Sequence, residues 1–285
     1  MEKPDNTAQR TALWRALHLE IDDVPLIIKD NWALRLTRPA PGWQQRPDMK
    51  YTKPIRASIV GRARFVEDQV EVAVQKGLSQ YVILGAGLDS FALRYNEQHA
   101  QTKAPPTLQV FEIDQPETLS WKQDCIKEQI ENLPENLHLL PVDFEQSTWW
   151  EALAGQNSGF DMQKPTIISS TGVTLYLTHK AIRDMLMRIA KFAPGSKAII
   201  SFYAPIESLQ GEDKTLMEMS VKGAASQGTP MISFFNPEDV LLLAKDAGLK
   251  NCQIFDTQDL TRQYFKHRSD GLRPCDGELF LVAES

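Results

Sequence analysis

The segment Tyr81-Val-Ile-Leu-Gly-Ala-Gly-Leu-Asp-Ser90 constrains the fold more than any other part of the chain. A short, unbroken apolar run reads as a strand buried on both faces. Here it enters Gly85-Ala-Gly87 directly. Glycine lacks a Cβ, so the backbone can turn tightly at Gly85 and Gly87 and let a ligand approach closely. Acid-bearing segments follow at Glu112-Ile-Asp114 and Asp143. That order fits a nucleotide-like ligand lying across the carboxyl ends of neighbouring parallel strands. Position 90 is serine, so the third glycine of a dinucleotide fingerprint is missing. An adenosine-bearing ligand, S-adenosyl-L-methionine, is therefore favoured over a dinucleotide.

Further apolar segments recur with helical patterns between them. Tyr81–Leu84 predicts the first core strand, Leu108–Ile113 the second, Leu137–Val142 the third, Thr166–Ser170 the fourth and Lys197–Tyr203 the fifth. Two strand-like segments, around Leu249–Phe255 and Glu278–Val282, finish the chain. A helix follows Pro116, and Ala181–Phe192 carries Ile182, Met185, Leu186 and Ile189 at helical spacing. Asn236-Pro-Glu-Asp239 has the cap, first-turn proline and acids of a helix start. This alternation predicts an α/β fold, a doubly wound sheet of parallel strands covered by crossover helices.

Upstream, residues 11–36 read as largely helical, interrupted at Asp22-Asp-Val-Pro25 because proline restricts its predecessor and lacks an amide donor. Pro39-Ala-Pro41-Gly42 reads as a loop. A helix is predicted over Pro54–Lys76, with Val66, Val70, Ala73 and Val74 facing inward. Residues 205–235 are less regular but contain Leu216, Met217, Met219, Met231, Phe234 and Phe235. They read as a substrate-covering insertion or as ordinary packing. The expectation is one domain over residues 1–285, with an N-terminal helical region of about residues 1–76.

A formal charge of -6 argues for solubility and against a broad nucleic-acid surface. Arg262, Lys266, His267 and Arg268 make a local basic patch that reads as a solvated amphipathic segment. Cys125, Cys252 and Cys275 show neither metal-ligand spacing nor a disulfide framework. The first residues lack the basic-then-apolar order of a secretory signal, and no apolar run is long enough to cross a bilayer. No integral membrane association is expected, and cytoplasmic residence is.

At the ends of the predicted strands, Asp114 can accept hydrogen bonds from a ribose diol, with Glu112 as an orienting neighbour. Asp143 can accept from an adenine amino group, and the Phe144 ring can cover the base. Each of these also has an ordinary reading, as a loop cap or as core packing.

The chain resembles the leucine carboxyl methyltransferase family, including its bacterial small-molecule O-methyltransferase-like branch. The resemblance runs from about Thr11 to Ser201. It rests on Arg62-Ala-Arg-Phe-Val-Glu-Asp68, Val82-Ile-Leu-Gly-Ala-Gly-Leu-Asp89, Val110-Phe-Glu-Ile-Asp-Gln-Pro116, Pro141-Val-Asp-Phe144 and Gly172-Val-Thr-Leu-Tyr-Leu177. It implies a class I methyltransferase, Rossmann-like doubly wound sheet of seven strands with a terminal antiparallel strand. It also implies S-adenosyl-L-methionine as cofactor, with Arg62 on the methionyl carboxylate, Gly85 and Gly87 along the methionyl side, Asp114 on ribose and Asp143 on adenine. Arg15 is a second carboxylate-binding candidate. Related carboxyl methyltransferases tend to carry glutamate after the fourth strand, where this chain has Thr171. A threonine hydroxyl can donate or accept there but carries no charge.

On the acceptor side, Tyr176 can orient an oxygen, neutral His179 can accept a proton, and Tyr203 can close or orient the pocket. The leading expectation is O-methylation of a small-molecule carboxylate or hydroxyl. Carboxyl methylation of a peptide or protein, or a catalytically inactive cofactor-binding module, are the alternatives, and a dehydrogenase is a weaker one.

Overall fold

Seven strands are present in the computed structural model, which describes residues 6–102, 107–142, 148–156 and 158–285. They are β1 Gln80–Leu84, β2 Gln109–Asp114, β3 Leu137–Pro141, β4 Ile167–Ser170, β5 Lys197–Tyr203, β6 Lys250–Asp256 and β7 Glu278–Glu284. They form one sheet in the order β3–β2–β1–β4–β5–β7–β6. The first five run parallel, while β7 inserts antiparallel between β5 and β6. All seven predicted strands are found, with ends shifted by one or two residues.

The helices are α1 Asn6–Ile21, α2 Trp32–Thr37, α3 Pro47–Lys50, α4 Lys53–Gln75, α5 Phe91–Thr102, α6 Pro116–Lys127, α7 Trp149–Ala154, α8 His179–Ile189, α9 Gly211–Ser226, α10 Pro237–Asp246 and α11 Thr257–Leu260. Because side chains alternate along a strand, β1 feeds two cores. Tyr81 and Ile83 join the cluster under α1, α2, α4 and α6, whereas Val82 and Leu84 join the one under α8 and α10. Helix α8 buries the four apolar positions predicted for it, Ile182, Met185, Leu186 and Ile189. Each such side chain contributes about 1.5–3 kcal/mol of burial. Asn236 occupies the position before α10, but its side chain donates to Asp239 Oδ2 (3.1 Å) and caps no backbone amide.

Two features of this frame position the site. The carboxyl ends of β1, β2 and β4 all open toward α1 and α4, which places the turns after them around one cleft. The antiparallel register of β5 and β7 pairs Tyr203 with Glu278, so the last residue of one strand meets the first of the other. Residues 205–235 hold α9 and a stretch without regular structure that runs up to α10.

Candidate active site

The turn after β1 is held by backbone hydrogen bonds and one carboxylate. Gly85 and Ala86 N–H groups donate to the Ile113 carbonyl at 2.9 and 3.2 Å. Gly85 has φ +74°, and a Cβ there would lie 2.4 Å from Val173 Cγ2, so the position requires glycine. Gly87 N–H donates to Asp114 Oδ2 (2.6 Å), while Gln115 N–H donates to Oδ1 (2.7 Å). Asp114 therefore fastens the glycine turn to the end of β2. Around these groups lies a cleft of about 300 Å³, whose walls include Arg15, Arg62, Gly85, Gly87, Asp114 and Thr171.

Arg15 faces this cleft but is already engaged. Its Nε donates to Asp30 Oδ2 (2.7 Å) and one Nη to the Leu88 carbonyl (2.7 Å). Burial raises the Asp30 carboxyl, but Arg15 and Arg94 outweigh it and hold Asp30 below its ordinary value. The pair braces the loop after Gly87 from behind.

Glu112 requires a correction as a cofactor contact. It shares a strand face with Asp114 but sits two residues deeper, fully buried and ion-paired to the equally buried Lys122 of α6. Burial pushes its carboxyl up to about 7, with Lys122 opposing. Depth along the strand, not the facing of the side chain, separates the two acids. Asp143 and Phe144 lie outside the described residues.

A second cavity, of about 180 Å³, adjoins the cleft under α9. Trp14, Ile55, Leu175, Leu216, Met217 and Met231 make its apolar walls. Thr7, Thr11, Ile59, Arg62, Gly172 and Tyr176 line both spaces and form the boundary between them. Arg62 Nη1 donates to Tyr203 Oη (3.0 Å) and to Glu278 Oε1 (2.9 Å), and Tyr203 O–H donates to the same Oε1 (2.9 Å). Burial works against the Arg62 charge, yet Glu278 and Tyr203 hold it above its ordinary value. Burial, then the Glu278 charge, pushes the Tyr203 phenol well up. Tyr203 stands here as a protonated donor to Glu278. Gly172 (φ +71°) brings its backbone against the guanidinium, since a Cβ there would lie 3.2 Å from Arg62 Nη1.

His179 is the second correction. It is the exposed first residue of α8, stacked on Phe235 with ring centroids 4.6 Å apart, and it lines neither space. Glu278 and Arg10 were missed by the sequence reading. Glu278 carried a signal, a carboxylate opening the otherwise apolar run Glu278-Leu-Phe-Leu-Val-Ala, but its partner is 216 residues away. Cys275 also borders the second cavity, where burial pushes its thiol up to about 12.

The glycine turn that a Cβ would obstruct, the acid at the end of β2 and the arginine at the cleft boundary fit an adenosyl amino-acid donor. Among the described residues no cluster of metal-ligating side chains is found. The sheet order and this cleft define a class I methyltransferase. The family model of the leucine carboxyl methyltransferases matches residues 8–190, and the chain belongs to that family as an S-adenosyl-L-methionine-dependent methyltransferase.

The Bacillus subtilis protein YktD, provisionally named an S-adenosyl-L-methionine-dependent methyltransferase, is 31% identical over 215 residues. The match covers 75% of this chain and 67% of YktD. A Frankia alni protein with the same provisional name is 33% identical over 144 residues, 50% of this chain and 47% of its own. The matches thus span from just under half to about two thirds of the length of these relatives. A solved Thermobifida fusca structure, described as a methyltransferase candidate, has the same fold with a TM-score of 0.60 and 15% identity. That likeness covers 99% of this chain and 95% of the other.

Proposed function

We propose that this enzyme methylates a carboxylate oxygen of a small-molecule acceptor held in the cavity under α9. The observation that carries the reading is the shared boundary: an apolar cavity opens beside the glycine-turn cleft, with Arg62 and Tyr176 bordering both. S-adenosyl-L-methionine supplies a methyl group made electrophilic by its sulfonium. Asp114 suits the ribose diol, and the turn it fastens lets the backbone approach the donor. Arg62 suits the donor's methionyl carboxylate through the part of its guanidinium that Glu278 and Tyr203 leave open.

A carboxylate is favoured over a phenol or alcohol because it needs no deprotonation at neutral pH. No histidine borders the cavity among the described residues. Glu278 already accepts from both Arg62 and Tyr203, Asp213 is held by Arg273 at 3.0 and 3.2 Å, and Asp276, the remaining carboxylate on these walls, is exposed. Tyr176 and Tyr203 then act by orientation. Holding two reactants in line supplies much of the rate in such a transfer. The apolar walls exclude water from the acceptor.

The family match favours a second reading, methylation of the terminal carboxylate of a peptide or protein. The test is release of S-adenosylhomocysteine on incubation with small carboxylic acids, matched phenols and alcohols, and a peptide ending in leucine. Turnover of small acids to base-labile esters supports the proposal. Turnover confined to phenols and alcohols overturns it, and turnover confined to the peptide establishes the second reading.

A further inference from the structure

The cavity under α9 is apolar, yet one cation on its wall makes no ion pair among the described residues. Arg10 projects from α1 into this space and not into the donor cleft. Its Nε is buried without a hydrogen-bond partner, and it makes no ion pair among the described residues. The other charged groups on these walls are Arg62, Asp213, Asp276 and Glu278. Arg62 is matched with Glu278, and Asp213 with Arg273. Asp276 forms no ion pair with Arg10 either. A carboxyl can relieve burial by taking up a proton, but a guanidinium stays charged at any physiological pH. Arg10 as a whole is half-buried, but its Nε–H, buried without a partner on the wall of an apolar cavity, calls for an anionic ligand group to accept from it.

We infer that Arg10 is a specificity residue that binds an oxyanion on the acceptor, separate from the oxygen that is methylated. The inference rests on the proposed acceptor role of this cavity. Two points separate the oxyanions. Arg10 does not border the donor cleft, whereas Arg62 does, so a group on Arg10 lies away from the transfer position. An oxyanion whose charge is taken by a guanidinium is also a weak nucleophile. The acceptor class this describes has an apolar body with one oxyanion at each end, the distal one a carboxylate or a phosphate-type group.

The test uses the full chain saturated with S-adenosylhomocysteine and three probes: octanoate, suberate and 8-phosphonooctanoate. Calorimetry gives each Kd for the unaltered enzyme, Arg10→Gln and Arg10→Lys. A charge-assisted hydrogen bond corresponds to a change on the order of 10-fold or more. The doubly anionic probes are expected to bind at least that much more tightly than octanoate. Arg10→Gln should abolish the advantage and Arg10→Lys restore part of it, with S-adenosylhomocysteine affinity unchanged throughout. Whichever of suberate and 8-phosphonooctanoate loses more identifies the distal group. The inference is overturned if the doubly anionic probes have no advantage, if Arg10→Gln leaves that advantage intact, or if Arg10→Gln weakens S-adenosylhomocysteine instead. Failure of the unaltered enzyme to bind S-adenosylhomocysteine at all would strike the methyl-donor reading and is read separately.

Discussion

Gly85→Ala is the substitution whose cost follows most directly from the geometry. Two penalties add at one atom. Alanine at φ +74° occupies the left-handed region, at about 1–2 kcal/mol. Its Cβ would also meet Val173 Cγ2 at 2.4 Å, an overpacking that costs about 1–3 kcal/mol. The sum is about 2–5 kcal/mol, within the range that a domain of ordinary stability survives. Trimming Val173 removes the second penalty and leaves the first. Urea unfolding of Gly85→Ala, Val173→Ala and the double variant separates them in a thermodynamic cycle. The double variant should be more stable than the sum of the singles by about 1–3 kcal/mol. Effects that add to within about 0.5 kcal/mol would refute the assignment of the clash to Val173. Titration with S-adenosyl-L-methionine in the same series should show weakened binding for Gly85→Ala, because Val173 also borders the donor cleft.

Lys122→Met strands the buried Glu112 carboxylate and should cost about 3–5 kcal/mol at pH 8 or above, whereas Glu112→Gln with Lys122→Met should lie near the unaltered protein; urea midpoints decide both. Glu112 titrates at about 7 in the folded chain against an ordinary 4.5. Its contribution is therefore complete below pH 4.5 and is lost as pH rises through about 7. Removing Lys122 raises the Glu112 carboxyl further, so the cost of Lys122→Met should stay level over that window and grow above about pH 7, and the double variant should lack the slope. Asp114→Ala should leave the chain folded but raise the Kd for S-adenosyl-L-methionine by roughly 10- to 150-fold, the worth of one hydrogen bond to a charged group; unchanged affinity by calorimetry would sink the ribose and turn-fastening roles. Tyr203→Phe should lower turnover while donor affinity holds, since Arg62 keeps Glu278; equal turnover on a true acceptor would show that the hydroxyl is dispensable.

The elements were legible because their signals are local. Buried parallel strands are short apolar runs, and Tyr81–Leu84 or Lys197–Tyr203 needs no partner to be read as one. The amphipathic spacing of Ile182, Met185, Leu186 and Ile189 likewise stands in a single window. The glycine turn and the acid at the end of β2 were legible for a related reason. Each sits at a strand end, and strand ends gather on one edge of a doubly wound sheet. What the spacing could not show was depth. Glu112 and Asp114 lie two residues apart on one strand face, yet only the second emerges into the cleft, because α6 and Lys122 cover the first.

The sequence alone therefore determined the strand–helix alternation, the turn at Gly85 and the acid Asp114 at the end of β2, since backbone conformation and burial periodicity act over a few residues. Tertiary structure alone decided the make-up of the second cavity. The antiparallel insertion of β7 brings Glu278 to Tyr203 and Arg62 across 75 and 216 residues. The fold of α1 over the sheet carries Arg10 to the cavity, and α8 turns His179 outward. Pairings over such separations depend on strand order and helix packing, which no local pattern encodes.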